Sequence, residues 1–225
     1  MTSTATSPVS GLALIAVANA QPMPWRNGGG VTRELFTWPA AASGAPWQLR
    51  ISVADITQDG PFSAFAGIER WFVVLQGAGV RLGLPAGERV LTTNSAPLCF
   101  AGEDAPACAL LHGATRDLNL MAQRAAGQAE MQRAVPALAW VSPSPLRALF
   151  TAQPMRLQRD NAPPLPVPAM TLAVATQAGG QRWRALRPGG GSPTDASGPA
   201  HAKNPASAWW LEFQPTTLPS PTPHA

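Results

Sequence analysis

Glu69-Arg70-Trp71-Phe72-Val73-Val74-Leu75-Gln76-Gly77-Ala78-Gly79-Val80-Arg81-Leu82-Gly83-Leu84 is the stretch that decides the fold. Residues 69–76 concentrate aromatic and β-branched side chains, which suit a pleated, half-buried surface. Gly77-Ala78-Gly79 supplies a turn, and residues 80–84 resume the strand pattern, so the spacing predicts a hairpin.

The same punctuation repeats on either side. Trp47, Leu49, Ile51 and Val53 alternate with Gln48, Arg50, Ser52 and Ala54, and a period of two puts each set on its own face of a strand. In a simple sandwich the second set meets solvent; in a barrel with a cavity it lines the lumen. Asp59-Gly60-Pro61-Phe62-Ser63 and Pro85-Ala86-Gly87-Glu88 are turn signals. Further strands are expected at 12–18, 31–38, 89–92, 98–101 and 107–111. Short strands at this spacing, with turns between them, indicate an all-β sandwich or barrel. Beyond them, 122–133 reads as a helix-like patch weakened by Gly127. Strands are expected within 135–150 and at 154–157, 170–176, 181–186 and 208–213. Residues 161–168 carry four prolines and read as a rigid connector. Residues 187–205, rich in Gly, Pro and Ser, read as a mobile loop. The two ends, 1–10 and 216–225, read as disordered tails.

Composition fits this picture. A chain of 225 residues can bury a sizeable core, as one large β domain or two small ones. Its 25 prolines and 20 glycines argue against long helices. The 16 basic residues, giving a net charge of +4, are scattered without a cluster, so no nucleic-acid partner is expected. Cys99 and Cys108 form no CxxC, and His112, His201 and His224 have no ligand spacing; buried free thiols are expected, with no structural zinc. Residues 12–17 followed by Ala18-Asn19-Ala20 imitate a short signal peptide. No Lys or Arg precedes them, so a first strand in a cytoplasmic protein is the preferred reading. No apolar run approaches the ~20 residues that span a bilayer, and no membrane association is expected.

Charged residues make up only 12% of the chain, yet Pro24-Trp25-Arg26-Asn27-Gly28-Gly29-Gly30-Val31-Thr32-Arg33-Glu34 gathers several of them around three glycines. The glycines lack the Lys-Ser/Thr of a P-loop and precede a strand rather than a helix, so they hold no nucleotide phosphate. Left-handed turns or close backbone approach remain as their use. The backbone N–H groups of Gly28, Gly29 and Gly30 are candidates for an anion nest. Arg33 and Arg50, on neighbouring strands, are candidates for one lumen, where a guanidinium fork matches a carboxylate. The plainer alternative is that Arg33 pairs with Asp59 or Glu34 and stitches the barrel. Trp25 and Asn27 are placed to stack on and orient a ligand, though Trp25 serves equally as a plug. Ser52 shares the Arg50 face and completes the set, but Ser52 and Ser63 have no histidine to activate them, so no catalytic residue is assigned. Asp117 and Asn119 alternate on one strand and read as turn-capping or barrel-closing groups.

PWRNGGGVTRE, WQLRIS, DGPFSAFAGIER, LQGAGVRL and RDLNLM occur in one order across residues 12–124, and in this the chain resembles the HutD/Ves family. HutD accompanies bacterial histidine-utilisation gene sets, and Ves is a stress-linked relative. The resemblance implies a bicupin, two cupin-like β-barrels in one chain: a first at 11–124 and a smaller second at 125–215. Residues 69–82 also look like the first cupin signature, but no His-x-His precedes them and no Glu/His set follows. Metal and cofactor are therefore not expected. The arginine, glycine and aromatic set, without metal or nucleophile, gives non-enzymatic binding of a small carboxylate metabolite that modulates a catabolic pathway as the expected function, and the resemblance suggests a histidine-degradation intermediate such as formylglutamate or urocanate as the ligand. The alternative is a metal-free isomerase or lyase with Glu34 or Asp59 as general base. Bicupins often pair edge to edge, which gives a homodimer as the expected assembly.

Overall fold

The computed structural model describes residues 11–40, 43–189 and 208–216. The expected tail at 1–10, all but the first residue of that at 216–225, and most of the loop at 187–205 lie outside them. The chain runs through β1 (Leu12–Ala16), β2 (Pro22–Pro24), β3 (Gly30–Trp38), β4 (Leu49–Ile56), β5 (Gly60–Pro61), β6 (Ile68–Gln76), β7 (Val80–Leu84), β8 (Gly87–Leu91), β9 (Leu98–Ala101), β10 (Ala107–Leu110) and β11 (Thr115–Gln123). It continues through β12 (Gly127–Arg133), β13 (Ala139–Val141), β14 (Leu146–Thr151), β15 (Met155–Arg159), β16 (Leu165–Val167), β17 (Thr171–Ala175), β18 (Arg182–Leu186) and β19 (Ala208–Pro215). Among the described residues the helical segments are short 3-10 turns such as Val17–Asn19, and no helix is long and apolar enough to cross a membrane.

Four antiparallel sheets stack as layers. The outermost is β5-β10-β7-β8, followed by the six-stranded β2-β3-β4-β11-β6-β9, the five-stranded β1-β17-β14-β19-β12, and finally β13-β18-β15-β16. None of them closes on itself into a barrel. Three apolar clusters set the order. Phe62, Phe72, Val74, Leu82 and Phe100 fill the space between the first two layers. Leu49, Ile51, Val53, Leu118 and Leu120 of the six-stranded sheet meet Met131, Phe150, Leu211 and Phe213 of the five-stranded one. Trp140, Trp183 and Trp210, stacked or edge-on to one another, fill the last gap with Leu149 and Leu157.

The alternation at 47–53 therefore sorts as expected, with one change of meaning. Its apolar face packs against the second pair of sheets, and its polar face looks into the first pair. Both faces of β4 are covered, and Leu49, Ile51 and Val53 have no measurable exposure.

Three expectations are corrected. Residues 69–84 do not form a hairpin: β6 lies between β11 and β9, while β7 lies between β10 and β8 in the next sheet. Gly77 and Gly79, at φ +94° and +112°, turn the chain from one layer to the other. A Cβ at Gly77 would stand 2.5 Å from the Ala114 carbonyl, and one at Gly79 2.1 Å from that of Leu91. The Thr115 hydroxyl donates to the Gly79 carbonyl at 3.2 Å and holds the corner. Residues 122–133 contain no helix; β12 alternates Ala129 and Met131 inward with exposed Gln128 and Glu130. Gly127 fits a strand because any Cβ there would lie 2.3 Å from the Gln214 carbonyl on β19. Finally, the proline-rich 161–168 is more than a connector, since Leu165–Val167 pairs with β15.

The first strand of the chain also reaches across the division expected at residue 124. Leu12 pairs with Ala175 and Ala16 with Thr171, so β1 completes the five-stranded sheet.

Candidate functional site

Antiparallel register places the site. β4 and β6 both flank β11, so residues opposite one another form rows across three strands. One row is Arg50, Met121 and Arg70; the next is Ser52, Asn119 and Phe72; the third is Ala54, Asp117 and Val74. All face the outer sheet. A cavity of ≈ 690 Å³ opens over them, with Arg50, Ser52, Arg70, Asn119 and Met121 as its floor. Phe62, Ser63 and Phe65 form one wall, and Trp25, Arg26, Asn27 and Thr32 the other.

The glycine turn builds the second wall. Gly28 adopts φ +71° and donates its N–H to the Trp25 carbonyl at 3.0 Å. Asn27 Oδ1 accepts the Gly29 N–H at 3.0 Å. A Cβ on Gly30 would lie 2.4 Å from the Asp55 carbonyl and 3.0 Å from the Trp25 ring. The indole rests on this bare backbone, and its Nε1 donates to Thr32 Oγ1 at 2.8 Å. The N–H groups of Gly28 and Gly29 are therefore committed to the turn, and the glycines act by bringing Trp25 and Asn27 to the cavity.

Of the two arginines expected to share a lumen, only Arg50 lines it. Arg33 stands opposite Val53, hence on the other face of the sheet, and pairs with Asp55 at 2.7 Å. Arg116 donates from Nε to the same carboxylate at 2.6 Å. Burial pushes the Asp55 carboxyl up, but Arg116 and Arg33 outweigh it and hold it below the usual carboxylate range. Arg33 thus stitches strands together, with Asp55 rather than Asp59 or Glu34 as its partner. Glu34 sits opposite Ser52 and accepts from Arg50 Nε at 2.8 Å. Asp59 lies apart, lining a separate hollow with Arg81 and Cys108 and accepting the Leu110 N–H at 2.8 Å. Ser52 is buried at the cavity floor, only 2% exposed. His112 is exposed and outside the cavity.

The residue that sequence reasoning missed is Arg70. Its Nε donates to Asn119 Oδ1 at 2.7 Å, and its guanidinium lies 4.2 Å from the Phe62 ring centroid and 5.6 Å from that of Phe100. Among the described residues, the two terminal nitrogens of its fork meet no acceptor. Asn119 in turn donates through Nδ2 to Asp117 Oδ1. Asp117 is 1% exposed and its Oδ2 has no hydrogen-bond partner among the described residues. Burial pushes this carboxyl up to about 7, against the pull of Arg70 and the Asn119 hydrogen bond. Burial likewise lowers Arg70 to about 10, opposed by Asp117 and reinforced by Arg50; it remains a cation at neutral pH. The sequence signal for this chain of groups was the alternation of Asp117 and Asn119. Arg70 gave none, because its place in the row depends on strand register.

Chemically, the cavity floor offers two guanidiniums about 10 Å apart at the backbone, two strand spacings. One is already engaged by a carboxylate; the other is held by a neutral amide and aromatic faces. Such a pair, walled by aromatic rings, suits an anion with a planar or apolar body.

Comparison with known proteins agrees with this architecture. The family model for HutD matches residues 17–182. An uncharacterised 21.2 kDa protein in the hutC 3′ region of Pseudomonas putida is 43% identical over 117 residues, 50% of this chain and 59% of that one. Protein Ves of Citrobacter koseri is 39% identical over 102 residues, 44% of this chain and 52% of that one. The matches thus span little more than half the length of these curated relatives. Among solved structures, a conserved protein of unknown function from Pseudomonas aeruginosa PAO1 superposes with TM-score 0.74 at 27% identity, covering 92% of this chain and 100% of that one. HutD from Pseudomonas fluorescens SBW25 gives TM-score 0.73 at 22% identity with the same coverage. A cupin-like likeness in fold alone reaches the oxalate decarboxylase OxdC of Bacillus subtilis, with TM-score 0.51 at 9% identity, covering 89% of this chain and 76% of that one.

Proposed function

This chain belongs to the HutD family, associated with the histidine-utilisation locus, and from that premise we propose that its cavity binds a small carboxylate metabolite without turning it over. Two facing pairs of sheets support reading the molecule as a bicupin, divided near residue 124, whose first half carries the site. The observation that carries the reading is the Arg70 fork, which points into a cavity it shares with Arg50 and finds no acceptor among the described residues. A charge-assisted hydrogen bond contributes about 1.5–3 kcal/mol net, so two arginines dominate the affinity for a small acid. Family membership directs the choice of acid to intermediates of histidine breakdown such as formylglutamate or urocanate, and binding there would modulate the pathway. A ligand of about a dozen heavy atoms at ~0.5 kcal/mol per atom binds in the tens of micromolar, a range suited to a sensor.

Calorimetry with formylglutamate, urocanate and glutamate tests this. At least one acid should bind wild type, and Arg50→Ala and Arg70→Ala should each weaken it at least about tenfold. Absence of heat from all three, or affinity unchanged in Arg70→Ala, would overturn it.

A further inference from the structure

We propose that this cavity takes up its acid together with a proton, and that Asp117 is the group that receives the proton. The proposal rests on the binding reading above and concerns what lies beneath the floor.

Asp117, Asn119 and Arg70 form one continuous hydrogen-bonded run, from a buried carboxyl through an amide to the guanidinium facing the cavity. The amide joins them in a fixed sense: its oxygen accepts from Arg70 and its nitrogen donates to Asp117. Asp117 cannot turn to water, being 1% exposed. Its Oδ2 atom has no donor among the described residues. Structurally, this oxygen is where a proton can sit without breaking a bond, since Oδ1 already serves Asn119. A buried carboxylate left half-satisfied is costly as an anion and much less so as a neutral acid.

One cation among the groups around Asp117 favours its ionised form, and the rest do not. Arg70, on β6, is the cation that favours its charge. On β4, Asp55 adds a like charge from beyond the sheet, and on β10 the Cys108 thiol offers no positive partner. The anionic form therefore depends on Arg70, with the Asn119 hydrogen bond as its other support. Arg50, the other cation of the floor, is already paired with Glu34, so an acid entering the cavity presents to the Arg70 guanidinium a second negative charge that this one buried cation cannot neutralise along with Asp117. Protonation of Asp117 removes the conflict, so the complex that forms is acid anion, Arg70 cation and neutral Asp117. The free-state carboxyl sits near 7 through burial, and a bound anion moves it further in the same direction.

The sign follows from linkage. The protonated form binds tighter, so affinity is flat below the free-state value and falls as pH rises above it. The slope is at most one proton, or about tenfold per pH unit, until the liganded value is also passed. Isothermal titration of formylglutamate into wild type, at each pH between about pH 6 and about pH 9 in two phosphate-free buffers of different ionisation heat, reads this directly. The difference in heat between buffers counts protons. Uptake rising from near zero toward one proton above about pH 7 is expected. Asp117→Asn, which keeps the shape of a neutral acid, should bind with the low-pH affinity at every pH and take up none. Binding without proton uptake in wild type would overturn the proposal and leave the binding reading intact, and uptake that persists in Asp117→Asn would overturn the assignment. If formylglutamate gives no heat at any pH, the binding reading fails for this acid and the proposal falls with it. Because the buffer comparison uses wild type, it decides the matter even if Asp117→Asn does not fold.

Discussion

Gly28, Gly29 and Gly30 hold one turn by different physical means, and substitutions separate them. Gly28 has open space around its Cα but a left-handed φ of +71°. Alanine there carries only backbone strain, about 1–2 kcal/mol. At Gly30 a methyl group would stand 2.4 Å from the Asp55 carbonyl and press on the Trp25 ring. Gly30→Ala should cost at least as much, about 1–3 kcal/mol, and should also disturb the wall of the cavity. Urea denaturation of both variants reads the stability, and the Trp25 environment reads the wall. A Gly30→Ala variant as stable as wild type would contradict the packing described. The run of glycines was legible in the sequence as a place where backbone approaches something closely. That the object approached is the protein's own tryptophan was not, because it depends on the strand on either side being in register.

At the scale of single elements, the pleat of β4 did most to make the site readable. Arg50 and Ser52 share a face by simple alternation, and the structure places both at the cavity. The same alternation on β3 puts Arg33 opposite Val53, away from Arg50, which the sequence could not show without knowing which residues oppose which. β11 supplies the missing link, since Met121 faces Arg50 on one side and Arg70 on the other. Strand β12 was misread because Gln, Glu, Met and Arg are good helix formers; its fit against β19 decides otherwise. The Arg33–Asp55–Arg116 cluster ties β3, β4 and β11 together. Because the Asp55 carboxyl is held below its usual range, its contribution is present above about pH 4 and is lost as pH falls through the depressed value. Asp55→Asn should remove that part of the acid-induced loss of stability while lowering stability at neutral pH. Unfolding curves of the two proteins that stay parallel from neutral to acid would show that the cluster contributes nothing.

For the molecule as a whole, the decisive surface is the one between the two middle sheets. The six-stranded sheet turns its polar face to the cavity and its apolar face to the five-stranded sheet, so the cavity floor is packed from behind. The second half itself is filled by Trp140, Trp183, Trp210 and a buried Arg147 that donates to three backbone carbonyls, from Nη1 to Ala178 at 3.1 Å and to Gln181, and from Nη2 to Trp140 at 3.1 Å. Phe150, fully buried at the interface, should cost about 3–5 kcal/mol when replaced by alanine. The two halves should still unfold in a single transition, seen by fluorescence and circular dichroism alike. Two separated transitions would mean that the halves are stable independently. The strand pattern made the all-β class legible from the start; the way the layers stack was hidden, because an apolar face on a strand says that something covers it and not what.

The measurement that bears most directly on the site is an electron-density map of crystals grown with formylglutamate. Density for the acid should bridge Arg50 and Arg70 beside Trp25, with a carboxylate on the Arg70 fork. An empty cavity at saturating acid, or the acid lodged at Arg33 on the opposite face of the sheet, would contradict it.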